Sequence, residues 1–207
     1  MKKVTELTGS YARLDPAHRT ERGLLLESLG LRPRSMEALY MAARVLIAAT
    51  ADNDQESIGA ALEIARASTG VQAKERHKAL TQPAEGVPTT MDLRTRVAIH
   101  IAANLAKFTL NPKDEAVLKG VVEAGLEIEE GNYLGDVLWG VSPPSDPESG
   151  LQGKGYNLTG RVLGLVGGWI ADPKFVRPDE DVLAANIFEL RFLNEADQII
   201  EQAGVAA

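Results

Sequence analysis

The chain has 207 residues, 44% hydrophobic and 25% charged, which are the proportions of a soluble globular protein long enough to bury a sizeable core. Its net charge of −7 opposes a large phosphate-backbone footprint, and the lack of cysteine excludes disulfides, thiolate catalysis and cysteine-ligated zinc. The opening Met-Lys-Lys-Val-Thr-Glu-Leu has no apolar core behind its lysines, and no apolar run nears the roughly 18–20 residues of a membrane span, so a cytoplasmic location is expected.

Residues 1–33 are polar and broken by Pro16, Gly23, Gly30 and Pro33, with Leu24-Leu25-Leu26 as a short strand or half-turn. Ser35 is placed to cap a helix starting at Met36, where Leu39, Tyr40, Ala43, Leu46 and Ile47 recur at helical spacing. A second helix, from about Gln55 to Ser68, carries Ile58, Leu62 and Ala65. Residues 70–89 are mixed, with Pro83, Gly86 and Pro88 marking a loop. Thr90 then caps a helix with Leu93, Val97, Ile101, Leu105 and Phe108 on one side. Pro112 opens the next helix, which Gly125 stops, and Leu126-Glu-Ile128-Glu alternates as a short strand. Residues 140–157 form a long Gly-, Pro- and Ser-rich loop, and a helix follows from about Leu158. Beyond Pro173 and Pro178, the spacing predicts one amphipathic helix over 179–203, with Val182, Leu183, Ile187, Leu190, Leu193 and Ile200 on its apolar side. That stripe either packs on its own domain or forms a homodimer seam.

Chemistry-bearing residues concentrate in a few places. Glu37 lies in the first turn of its helix, where a carboxylate complements the helix dipole, and Arg44 follows two turns later on roughly the same face. The pair serves one ligand or lies on a solvated side. Asp136 and Trp139 precede Gly140; they are a turn acid and a core indole, or a proton-handling acid beside a wall for a ring. The loop residues Gly153, Lys154, Gly155, Tyr156 and Asn157 suit a phosphate, or are plain flexible chain. They make no Walker motif, because Gly155 stands where Ser or Thr is required, and no dinucleotide fingerprint, because Leu158 takes the third glycine position. His18, His77 and His100 do not cluster in sequence, and His100 sits in an apolar helix as a packing residue. No metal and no cofactor is called for.

In order, these pieces resemble the NADAR family of YbiA-like N-glycosidases over roughly residues 34–166. Ser35-Met-Glu37-Ala-Leu-Tyr40-Met-Ala-Ala-Arg44 looks like the family's Ser-x-Glu-x-x-Tyr-Gln-Ala-x-Lys helix. Ala106-Lys107-Phe108 with Asn111-Pro112 looks like its Lys-Phe-x-x-Asn turn, and Leu126–Glu129 falls at its short strand. Asp136-Val-Leu-Trp139-Gly140 looks like its Asp-x-x-Trp-Gly, and Gly153 through Leu163 like its closing Gly-x-Gly-x-Asn segment. Three features depart: the tryptophan expected at Met91 or Asp92 is missing, Arg44 and Met41 replace Lys and Gln, and residues 1–33 lack the N-terminal Phe-Ser-Asn-Phe.

The resemblance implies a single α+β, predominantly helical domain over 1–172, extended by a C-terminal helix over 173–207. It implies cleavage of the N-glycosidic bond of a phosphorylated ribosyl or ADP-ribosyl base compound. Glu37 and Asp136 would be catalytic; Arg44, Trp139, Gly140, Gly153, Lys154, Gly155 and Asn157 would bind substrate. The alternative is a non-catalytic module that holds an ADP-ribose-like nucleotide. Either way the partner is a small nucleotide-like molecule rather than extended nucleic acid or membrane.

Overall fold

The computed structural model describes residues 3–5, 7, 9–20, 24, 31–52, 55–81, 91–131, 138–141 and 154–205. Over these residues the chain is predominantly helical, with a two-stranded parallel sheet, the α+β composition expected. Strand β1 (Lys3–Thr5) leads to a 3-10 helix (Gly9–Leu14) and then to α1 (Met36–Asp52), α2 (Gln55–Ala65) and α3 (Gly70–Thr81). There follow α4 (Leu93–Leu110), α5 (Pro112–Glu123), β2 (Glu127–Glu129), α6 (Leu158–Ala171), α7 (Glu180–Phe188) and α8 (Leu193–Ala203).

The chain divides into two compact units. The first comprises Met1–Asp15, Pro112–Val176 and Asn194–Ala207; the second comprises Pro16–Asn111 and Arg177–Leu193.

In the first unit β1 pairs with β2 in parallel, Lys3 opposite Glu127 and Thr5 opposite Glu129. The Lys3 ammonium reaches Glu129 at 2.5 Å and Glu127 at 3.7 Å across the ladder. α5 packs on α6, where Gly167 lets the helices approach: a Cβ there would lie 2.6 Å from Val122. α5 ends as its sequence demands. Gly125, at φ +64°, donates to the Val122 carbonyl at 2.9 Å, and Leu126 donates to Val121 at 3.1 Å. This crossed pair satisfies the last carbonyls, and its left-handed residue is best made by glycine. Arg13 of the 3-10 helix binds the buried Asp114 of α5 at 2.6 Å.

The second unit is built on α4. Every residue from Val97 to Thr109 is buried, so α4 is a central helix rather than an amphipathic surface one. α1 packs against it with Met36, Leu39, Ala42, Ala43 and Leu46 buried, and α7 adds Leu183 and Ile187. Each fully buried Leu, Ile or Phe contributes about 1.5–3 kcal/mol. Ser35 caps α1 as predicted, its Oγ accepting from the Ala38 amide at 3.1 Å.

Four expectations need correction. α4 is capped by Asp92, whose carboxylate accepts from the Thr95 amide at 2.8 Å, and not by Thr90, which lies outside the described residues. Part of the stretch read as mixed is a helix, α3. The N-terminal segment contributes a strand, β1, rather than only broken polar chain. The single helix over 179–203 is two. Leu190 turns left-handed at φ +49°, and Arg191 donates back to the Asn186 carbonyl, ending α7. α7 buries Leu183, Ala184 and Ile187 within the second unit, whereas α8 from Asn194 onward belongs to the first and buries Ala196 and Ile199. One straight apolar stripe over 179–203 therefore does not exist. The Leu24–Leu26 reading lies outside the described residues except for Leu24, which is buried.

Candidate functional site

The second unit holds a polar cluster that runs from its apolar core out to the surface, contributed by one face each of α1, α3 and α4. On α1 the spacing of Glu37, Tyr40 and Arg44 brings all three to one side, within two turns. Glu37 is only 6% exposed although it lies in the first turn of a helix. The helix start does not need it as a cap: Ser35 serves Ala38, and the Glu37 amide itself donates to the Pro16 carbonyl at 2.9 Å. Its carboxylate instead meets the Lys74 ammonium at 3.5 Å.

Lys74 reaches Glu37 because α3 begins so close to it. A Cβ on Gly70 would lie 2.7 Å from Ala17 and 3.1 Å from the Glu37 Cβ, so only glycine lets α3 sit this near. Lys74 is one turn further along the same face. His77, three residues on, lies in the field of Arg44, and burial together with that guanidinium pulls its pKa down to about 4. Arg44 lies over the Tyr40 ring, 5.4 Å from the centroid, in cation–π geometry. Its Nε is buried and meets no hydrogen-bond partner among the described residues.

α4 closes the cluster with His100, Asn104 and Lys107, spaced i, i+4, i+7. The His100 ring stands edge-on to Tyr40 at 5.4 Å. Asn104 donates through Nδ2 to the His100 carbonyl at 2.9 Å and approaches His100 Nδ1 at 3.3 Å. An amide nitrogen can only donate, so Nδ1 is the acceptor and the ring proton resides on Nε2. Burial, reinforced by the positive charges of Lys74 and Lys107, holds the His100 pKa down at about 3. The imidazole is therefore neutral at ordinary pH. Lys107 is wholly buried, its ammonium 5.0 Å from the Phe108 ring centroid. The cluster thus places one carboxylate and two neutral imidazoles among three cations, a field that attracts an anion.

The first unit carries the other described sequence candidates. Trp139 and Gly140 form a turn that abuts the start of α6: the Leu138 and Trp139 carbonyls accept from the Leu158 and Thr159 amides at 3.3 and 3.0 Å. Those two helix-start amides are thereby already engaged. Asn157 adopts φ 52°, and its carboxamide clasps β2 like a short extra strand. Nδ2 donates to the Ile128 carbonyl at 2.7 Å, while Oδ1 accepts from the Glu130 amide at 3.1 Å. Gly155 lies against Gly140, where a Cβ would meet the Gly140 oxygen at 2.1 Å. Lys154 and Gly155 are exposed. Beside this junction runs a groove of about 320 Å³, lined among others by Glu127, Glu129, Tyr156, Asn157 and Arg161.

Glu37 and Arg44 thus share the polar cluster of the second unit; Trp139, Gly140, Gly155 and Asn157 share the junction of the first, with Lys154 beside it. Asp136 and Gly153 lie outside the described residues. Lys74, Tyr40, His100, Asn104 and Lys107 were not among the predicted site residues. The i, i+4, i+7 polar stripe through an otherwise apolar α4 was the available signal for the last three. Among the described residues no group of three His, Cys, Asp or Glu could hold a metal ion, and no helix is long and apolar enough to cross a membrane. The chain matches no known family model, no curated protein and no solved structure.

Proposed function

We propose that this protein is an N-glycosidase that hydrolyses the bond between a base and a phosphorylated ribosyl or ADP-ribosyl group. The observation that carries the reading is Glu37, a carboxylate 6% exposed, set in a polar cluster beside Lys74 at 3.5 Å. Burying such a group is costly, and a helix start already served by Ser35 and Pro16 does not require it.

Cleavage of a C–N glycosidic bond develops positive charge on the sugar. Glu37 stabilises that charge or takes the proton from the attacking water. The water oxygen bonds to the anomeric carbon as the bond to the base breaks, and the base leaves with a proton. The NADAR resemblance alone would give that proton to Asp136, which lies outside the described residues, and a ring wall to Trp139, which belongs to the other compact unit. In the cluster itself, the Arg44 guanidinium suits the phosphate. The resemblance supports the substrate class; the local charge pattern supports an anion.

The experiment is hydrolysis of ADP-ribosylated and phosphoribosylated bases, followed by release of free base, with calorimetry using ADP-ribose alongside. Turnover by the native chain that falls at least 100-fold in Glu37→Gln, with ADP-ribose binding retained, supports the enzyme. Tight ADP-ribose binding without turnover makes the protein a nucleotide-holding module instead, and neither binding nor turnover rejects both.

A further inference from the structure

The geometry points to Lys74 as a positioning residue that keeps Glu37 ionised and fixed in direction. This rests on the reading of Glu37 as the sugar-side carboxylate. Three observations converge on it. The Lys74 ammonium is 3.5 Å from the Glu37 carboxylate, the acid nearly buried and the lysine 58% exposed, so the lysine remains hydrated while the acid is not. Gly70 seats α3 against Ala17 and Glu37 at a spacing no other residue allows, which fixes where Lys74 emerges. The Lys74 charge is also among the causes that hold the His100 pKa down.

The charged and titratable groups of the cluster are Glu37, Tyr40 and Arg44 on α1, Lys74 and His77 on α3, and His100 and Lys107 on α4. Both histidines are held neutral, His77 at about 4 and His100 at about 3, so neither supplies a compensating charge near neutrality. Arg44 is drawn toward Tyr40 and the Met41 sulfur, at 5.4 Å from the ring centroid and 3.8 Å from the sulfur. Lys74, at 3.5 Å, is in direct ion-pair range of Glu37. A cation at that distance favours the carboxylate over the acid, and its removal leaves a nearly buried carboxyl that gains protons more easily. Lys74 does not touch the reacting atoms; it acts through Glu37.

The test uses the full chain with Lys74→Gln and Lys74→Arg. The Glu37 carboxyl carbon, assigned by its loss in Glu37→Gln, is titrated by 13C NMR without substrate. The expected result is a titration midpoint about one pH unit higher in Lys74→Gln, returned toward the native value in Lys74→Arg. With substrate, the acid limb of kcat/KM moves upward by the same amount in Lys74→Gln, kcat falls about tenfold, and KM changes less than twofold. A purely structural role lowers the folded fraction without moving either midpoint. An unchanged Glu37 midpoint in folded Lys74→Gln overturns the assignment. If the native chain does not hydrolyse ribosylated bases, the glycosidase reading fails, while the NMR midpoint still decides whether Lys74 controls the acid.

Discussion

The same substitution at two positions of α6 should change stability in opposite directions. Gly160 and Gly164 are one turn apart, and alanine is the better helix former by about 1 kcal/mol at either place. At Gly164 nothing lies within 4 Å of the added Cβ, so Gly164→Ala should stabilise the chain by about 0.5–1 kcal/mol. At Gly160 the Cβ would sit 2.1 Å from the Ile128 carbonyl oxygen and 2.5 Å from both amide atoms of Asn157. Neither neighbour can retreat cheaply. The oxygen belongs to β2, and the Asn157 carboxamide is committed to two hydrogen bonds, at 2.7 and 3.1 Å. Crowding of this kind costs about 1–3 kcal/mol, and each lost bond adds about 1 kcal/mol. After the propensity gain, Gly160→Ala should lose about 2–4 kcal/mol. Urea unfolding followed by circular dichroism measures both variants. If Gly160→Ala matches Gly164→Ala, the clasp of Asn157 on β2 does not carry the stability ascribed to it.

Two further outcomes follow from single groups. Asp92→Ala removes the α4 cap and should cost about 0.5–1 kcal/mol in thermal unfolding at neutral pH. The Asp92 pKa lies below 3.8, chiefly through its bond from the Thr95 amide, so the contribution is present above that value and is lost as pH falls through the lower folded-state value. The variant and the native chain should therefore converge in stability in acid, and a constant gap down to pH 2 would contradict the cap. His100, held at about 3 against 6.5 for a free imidazole, makes the unfolded chain the better proton binder. Its contribution is complete above pH 6.5 and declines as pH falls toward about 3, by up to about 1.4 kcal/mol per pH unit. In 15N NMR at pH 5.5, its ring should still show protonated Nε2 and bare Nδ1; an imidazolium pattern would refute the buried neutral tautomer.

The parts of the fold that were legible in the sequence were those with a local signature. Ser35 before an apolar period marked α1, and Pro112 and Gly125 marked both ends of α5. The strand at Leu126–Glu129 and the start of α6 at Leu158 followed from alternation and spacing. α3 was not legible because Lys74, Glu75, Arg76 and Lys78 give it a nearly polar surface, and Ala73 is the small residue it buries. Tertiary packing through Gly70, rather than an apolar stripe, holds it. The loss of α3 from the sequence reading also hid Lys74. The division of 179–203 was invisible because Leu190 in a left-handed turn contradicts every preference of a branched side chain, and the apolar period continues across the break. Glu37 and Arg44 were legible as residues, while the burial of Glu37 and the partners of both required the fold.

The sheet has a consequence for biosynthesis. Lys3–Thr5 is made more than a hundred residues before Glu127–Glu129, the strand it hydrogen-bonds. At about 5–20 residues per second, several seconds pass with that edge unmatched. Its Lys3 charge, later neutralised by Glu129, discourages association with other nascent strands during the delay. The second unit's α1–α4 core lies entirely upstream of β2 and is translated within that interval. A nascent-chain release series should therefore show protection of α4 before Val4 finds Ile128.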